Sequence, residues 1–250
     1  MRMIWFAKRC GKEIRRDKLN LFFGVGFPVI LLLLLSFINR NVPAEAGLTI
    51  FAPEALTPAV STFGLTFLSL FSALLIAKDR ESALMTRLLT SPLTAGEFVL
   101  GYVLPLLPIA LAQSAICYLL ALALGLAPTV SIVWAILLNL PVALFFIGVG
   151  LLCGTVMNTK QVGGLCGALL TNLSGWLSGA WFDLALVGGA FETVAELLPF
   201  VHAVRVGREA LAGNLGAVLP DLLIVSGYAV FTLGAAIIVF VRKMKKGRIV

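Results

Sequence analysis

The sequence predicts an all-α membrane protein. It has six transmembrane helices, an amphipathic interfacial helix before the first, and a broken, re-entrant outer segment before the last. Three observations lead there. Of 250 residues, 60% are hydrophobic and 12% charged, with a mean hydropathy of +1.05, whereas a soluble domain carries roughly 25% charged residues. The charges leave long uncharged stretches, and a helical span needs about 20 apolar residues. The basic residues, moreover, gather on alternate connections, as the inside loops of a polytopic protein do. The whole chain, 1–250, reads as a single transmembrane domain.

Residues 1–20 have the pattern of a helix lying on the inner leaflet. Met3, Phe6, Cys10 and Ile14 fall near one face with Trp5 beside them, and Lys8, Arg9, Lys12, Arg15 and Arg16 fill the remainder. The plainer alternative is a basic flank that only sets orientation.

The first span covers 21–39 and the second 57–77. The stretch 98–159 holds no Asp, Glu, Lys or Arg at all, so it divides into spans 99–124 and 129–152 around the turn Gly125-Leu126-Ala127-Pro128. The fifth span covers 162–182 and the sixth 220–241. Barrel strands would be about half as long and would alternate, so all six read as helices. Pro105, Pro108 and Pro141 fall inside the third and fourth spans. They bend a helix, and such bends are either tolerated or shape a cavity.

In the fifth span Gly163, Gly167, Thr171, Gly175 and Gly179 recur every four residues. In a helix they form one ridge without bulk, which lets backbones approach closely in lipid. Packing within the subunit and a subunit interface both fit. Asn172, Ser174 and Ser178 lie beside the ridge, as candidates for a substrate path. The outer segment 183–219 is rich in Leu, Val and Phe but is interrupted by Gly188-Gly189, Pro199 and Gly213. It is too broken to span and too apolar for water, so short re-entrant or interfacial helices fit. Pro199 and His202 are candidate path or gate residues within it.

The net charge of +7 and pI of about 9.5 do not indicate nucleic acid. With six spans, all of the 19 basic residues except Arg40, Arg205 and Arg208 fall on one side. That bias puts both termini in the cytoplasm and the chain in the cytoplasmic (inner) membrane; the basic excess meets anionic lipid. Cys10, Cys117, Cys153 and Cys166 form no CxxC pair and read as packing residues. The basic start, apolar run and Ala44-Glu45-Ala46 resemble a cleavable leader, but the apolar run exceeds a usual leader core, so no cleavage is expected.

Several chemistries are missing. There is no GxxxxGK[ST] phosphate loop, no HExxH and no paired carboxylates within a span. Ser178 and His202 are the only pair that suggests a hydrolase, and the packing ridge accounts better for the first. No catalytic, metal or cofactor residues are assigned. Few ionisable residues sit inside spans, which disfavours ion-coupled transport by a stand-alone carrier or channel. Energy for transport would come from another polypeptide.

Between the second and third spans lies a polar island, Lys78 to Gly101. Asp79-Arg80-Glu81 opens it; Met85, Arg87, Leu88 and Leu89 form an amphipathic middle; Pro92, Leu93, Thr94, Glu97 and Gly101 close it. This order resembles the signature of the ABC transporter type-2 permease family, with Ala83 and Leu84 in place of a Gly-Thr pair and Tyr102 in place of a closing Lys. The basic start, six spans, broken outer segment and basic tail extend the resemblance over the chain.

The resemblance implies that segment 78–98 holds a cytoplasmic coupling helix resting in a cleft of a separate P-loop ATPase subunit, which binds the ATP and Mg. Leu84 and Leu88 would offer its apolar stripe and Asp79, Arg80, Glu81 and Arg87 its rim. Pro92 would stop it and Glu97 start the next helix. The resemblance further implies two permeases with two ATPases, a path between the permeases, and export of an amphipathic drug, peptide, lipid or glycan. A membrane assembly scaffold is the remaining alternative.

Overall fold

The protein is described by a computed structural model covering residues 2–41, 49–82 and 94–245. Among the described residues every regular element is helical. An amphipathic helix, α1, spans Arg2–Arg16. Five helices are long and apolar enough to cross a membrane: α2, Lys18–Asn41; α3, Pro53–Arg80; α4, Ala95–Leu124; α5, Ser131–Val156; and Leu215–Lys243 of the last helix, α9, Leu215–Lys245.

The remaining predicted span, 162–182, is a composite helix, α6. It joins Thr159–Val162, a π-helical stretch Gly163–Leu169, and Leu170–Leu177. Just past the π stretch the Thr171 hydroxyl donates back into it, to the Cys166 carbonyl at 3.1 Å. Lys160, Gln161 and Asn172, together with the glycines, leave α6 less apolar than the other five. The outer segment holds a turn at Leu184–Leu186, α7 at Gly189–Leu197 and α8 at Pro199–Ala212.

Local chemistry sets these boundaries. Asp17 caps α2 by accepting from the Asn20 N–H at 3.2 Å. Thr94 and Glu97 form a reciprocal capping box at the start of α4, and Asn158 and Gln161 form another at the start of α6. Pro53 and Pro199 occupy first-turn positions, where the missing N–H costs nothing. Gly125 (φ 113°) and Gly213 (φ 82°) end α4 and α8 in the left-handed region that other residues avoid. Within α4 the regular helix breaks between Val103 and Leu106, around Pro105, whereas α5 passes through Pro141 unbroken.

The core is built around α3, the most buried of the five long helices. Its closest partner is α5. A side-chain carbon at Gly150 would lie 2.0 Å from the Ser69 carbonyl oxygen, and one at Gly154 would lie 2.3 Å from that of Ala73. Only glycine permits this approach, and close packing of this kind drives association where lipid removes the hydrophobic drive. Polar side chains add interhelical bonds. Ser72 donates to the Ile147 carbonyl at 3.1 Å, and the Asn139 amide reaches the hydroxyls of Ser61 and Ser114, each at 3.0 Å.

Helix α1 has the expected apolar face, but that face does not meet lipid. Phe6, Cys10 and Ile14 are buried within the protein. Phe6 stacks on Phe98 (centroids 5.1 Å apart) and meets Tyr102 edge-on at 5.0 Å. Gly101 makes room: a side-chain carbon there would sit 2.3 Å from the Phe6 ring. Burying such a ring stabilises the docking by roughly 2 kcal/mol. Ile4 and Trp5 remain exposed on the other side.

Helix α8 is packed against α3, α5 and α9, with ten of its fourteen residues buried. The expected broken outer segment is therefore a folded element at the opposite end of the bundle from α1.

Candidate coupling site

The end of α3 is a hub. Four consecutive side chains there reach five other helices. Lys78 pairs with Asp17, the cap of α2, at 3.3 Å. Asp79 receives both terminal nitrogens of Arg9 in α1, each at 2.6 Å, and the Tyr102 hydroxyl of α4 at 2.7 Å. Arg80 donates to the carbonyls of Gly154 (2.8 Å) and Met157 (3.0 Å) at the end of α5. Glu81 accepts from the Thr159 N–H (2.8 Å) and hydroxyl (3.1 Å) at the start of α6.

The charges suit the helix ends they meet. A cation stabilises a C-terminus, where carbonyls lack partners, and an anion stabilises an N-terminus. Arg80 takes the first role at α5 and Glu81 the second at α6. Lys243 of α9 also donates to the last turn of α5, to the Thr155 carbonyl at 3.1 Å. Thus α1, the C-terminal ends of α3, α5 and α9, and the N-terminal ends of α4 and α6 share one end of the molecule.

Asp79 is buried, so its carboxylate requires partners. A two-point guanidinium contact and a phenol supply them. The hydrogen bonds and charge of Asp79 raise the Arg9 pKa further above its ordinary value. Beside it burial pushes the Cys10 thiol up to about 12, making it inert, and burial likewise raises the Glu13 carboxyl.

Of the residues assigned to coupling from sequence, Asp79, Arg80, Glu81 and Glu97 are placed here, while Leu84, Arg87, Leu88 and Pro92 lie outside the described residues. The geometry alters two roles. Asp79 and Arg80 spend their charges on internal partners and leave none for a rim. Glu81 is exposed and Glu97 closes the capping box of α4, as its position predicts.

The ridge of α6 turns inward over most of its length. Gly167 faces Leu70 at 3.4 Å; Gly175 faces Trp181 at 3.0 Å and Phe63 at 3.4 Å; Thr171 is buried. Gly179 (φ 66°) forms the turn after the helix. Gly163 alone stands in open space. The outward side of α6 instead carries Leu169, Leu173 and Trp176.

The candidate path residues do not form one site. Asn172 is exposed and bonds within its own helix, to the Ala168 carbonyl at 2.8 Å, and Ser174 is buried. Ser178 borders a cavity of about 310 Å³ with Asp183, Glu192, Arg205 and Arg208. Pro199 and His202 are buried in α8. Both ring nitrogens of His202 are engaged within the protein: Nδ1 lies 2.5 Å from Asp221 of α9, and Nε2 donates to the Glu196 carbonyl at 2.8 Å. Arg205 forks onto Glu196, which lowers the Glu196 carboxyl pKa. Arg208 donates to the carbonyls of Ala55 (3.3 Å) and Gly179 (3.1 Å).

A family model described as ABC-2 type transporter matches residues 2–212. The chain belongs to the ABC-2 type transporter family. The match runs from α1 through α8, so the hub lies wholly inside it. Searches among curated proteins and among solved structures return no match. As a member of this family the chain is a multi-pass membrane transport subunit of the permease type.

Sequence reasoning missed Arg9, Tyr102 and Thr159 as members of this ABC-2 permease's hub. It missed the Gly150–Gly154 contact too, although a glycine pair four residues apart in an apolar helix is a readable signal.

Proposed function

We propose that this ABC-2 permease is the membrane-spanning half of an ATP-driven exporter. Two permeases work with two copies of a separate P-loop ATPase that binds the ATP and Mg. The cargo is amphipathic: a drug, peptide, lipid or glycan. The chain sits in the cytoplasmic membrane with both termini inside and crosses it six times, α6 being one crossing.

The observation that carries this reading is the hub at the end of α3. The segment assigned to meet the ATPase leaves α3 directly after Lys78–Glu81. A displacement of that segment pulls on α1, α2, α4, α5 and α6 together, because Lys78, Asp79, Arg80 and Glu81 are tied to them. Asp79 and Arg80 are thus positioning residues that transmit movement, while Glu81 sits at the exit of the lever. Six crossings are supported by the two ends of α6: Thr159 meets Glu81 at one end of α3, and Gly179 shares Arg208 with Ala55 at the other.

The test is efflux measured beside ATP hydrolysis, in vesicles holding the permease and its ATPase. Glu81→Arg brings a cation to the N-terminus of α6 and breaks the tie. Hydrolysis should persist while efflux falls about tenfold or more, the loss expected when one charged hydrogen-bonded contact of roughly 1.5–3 kcal/mol is removed. Efflux and hydrolysis both at the parent rate would refute the lever.

A further inference from the structure

A second feature of this end of the molecule adjoins the hub at Arg9. Helix α1 and the broken part of α4 wall a groove of about 1050 Å³. The two walls approach each other at Gly11, where a side-chain carbon would lie 3.4 Å from Cβ of Pro105. A cleft of that size accommodates a drug-sized molecule.

The two walls differ in chemistry. On the α1 side stand Lys8, Lys12, Arg15 and Arg16, all exposed. Lys12, Arg15 and Arg16 form no ion pair with any described residue, and Lys8 rests over the Trp5 ring at 5.4 Å. The one carboxylate at the groove, Glu13, is already held by Arg9 at 2.9 Å. On the α4 side stand Leu104, Pro105, Pro108 and Ile109, a wall without charge.

We infer that this groove seats an anionic glycerophospholipid from the leaflet that α1 lies against. Charge complementarity selects the head group: cations without a carboxylate partner line one wall of the groove, where a phosphate would find them. The apolar wall selects the remainder. Trp5 (71% exposed) and Leu104 (38% exposed) continue from the groove onto the outer surface, so acyl chains leave it directly into the bilayer. A soluble nucleotide or phosphopeptide would satisfy the cations but leave the apolar wall wet. The break in α4 around Pro105 lies in the groove wall. The lipid is a resident ligand wedged between α1 and α4, not cargo. The inference does not depend on the transport reading.

The experiment uses the full-length chain, purified and stripped of lipid in detergent. Dioleoyl-phosphatidylglycerol or dioleoyl-phosphatidylcholine is titrated in, and the bound lipid is counted by native mass spectrometry. Phosphatidylglycerol should be retained at least tenfold better by the parent. In the triple variant Lys8→Gln, Lys12→Gln, Arg15→Gln that retention should fall about 100-fold, at roughly fivefold per cation. The control Lys160→Gln, Arg242→Gln removes two cations elsewhere and should keep the parent preference.

A phosphatidylglycerol carrying a photoreactive acyl chain locates the site independently of variant folding. In the parent its label should fall in residues 104–109 and on Trp5. Equal retention of the two lipids by the parent would overturn the inference. So would equal loss in the triple variant and the control, or label spread evenly over α2 and α9.

Discussion

Arg9 and Asp79 stand 70 residues apart in the chain and meet through two hydrogen bonds of 2.6 Å each, a planar fork on a carboxylate that is otherwise shut away from water. Through this pair the amphipathic helix α1 is fastened to the end of α3. Asp79→Asn should loosen it. One charge partner is lost and Arg9 is left with Glu13 alone. Because Arg9 is itself 37% exposed along its side chain, water recovers part of the loss, and the expected cost is about 2 kcal/mol rather than the larger figure for a fully buried pair. The check is a double-mutant cycle with Arg9→Gln, read from thermal unfolding in detergent. A coupling near zero would remove the fork from the account.

Tyr102→Phe tests the third member. It deletes one hydroxyl and keeps the ring that packs on Phe6. Stability should fall by about 1 kcal/mol, while docking of α1, read by protease protection of residues 1–16, stays as in the parent. Loss of protection would mean that the hydroxyl, not the ring, holds α1.

Glycine substitutions separate close packing from free surface. Gly154→Leu forces a side chain into the Ala73 backbone, and overpacking commonly costs 1–3 kcal/mol; contact with backbone rather than a movable side chain puts it at about 3 kcal/mol. Gly163→Leu enters open space and should cost about nothing in the protomer. Fluorescence-monitored size exclusion across a temperature series ranks them. If Gly163→Leu were the worse of the two, the assignment of α5 as the close partner of α3 would fail.

These glycines mark where the sequence could and could not be read. The long spans were legible because lipid forbids unpaired charge, so uncharged stretches count them directly. The same signal placed α6 at 162–182, where the helix runs from Thr159 to Leu177, but its π-helical turn comes from packing that periodicity does not encode. The apolar face of α1 was legible as well, but amphipathicity says only which side is apolar. That Phe98, Gly101 and Tyr102 cover it depends on the whole bundle. The dense ridge of α6 drew attention from the shorter Gly150–Gly154 pair, which makes the tighter approach. Asp79 read as a rim charge because its partners lie far along the chain.

The Glu196–Arg205 pair predicts an acid response. Arg205 holds the Glu196 carboxyl below the usual carboxylate range. A depressed value means the contribution is complete above the ordinary pKa of about 4.3 and disappears as pH falls through the lowered one. Between pH 5 and pH 3, therefore, the parent should lose stability that Glu196→Gln has already lost. Both side chains are about 40% exposed, so the difference stays under about 1 kcal/mol. Parallel unfolding curves over that range would show that the pair contributes nothing.

The central claim is that the segment leaving α3 after Glu81 meets a separate ATPase and drives the hub. The most direct measurement places a benzophenone side chain at position 88, within the amphipathic middle of that segment, and another at position 230 on the exposed face of α9. Cells are irradiated, and the crosslinked partner is identified by mass spectrometry. The account predicts a crosslink at 88 to a polypeptide carrying a GxxxxGK[ST] phosphate loop and none to it at 230. No such partner at 88, or the same partner at both positions, would contradict it.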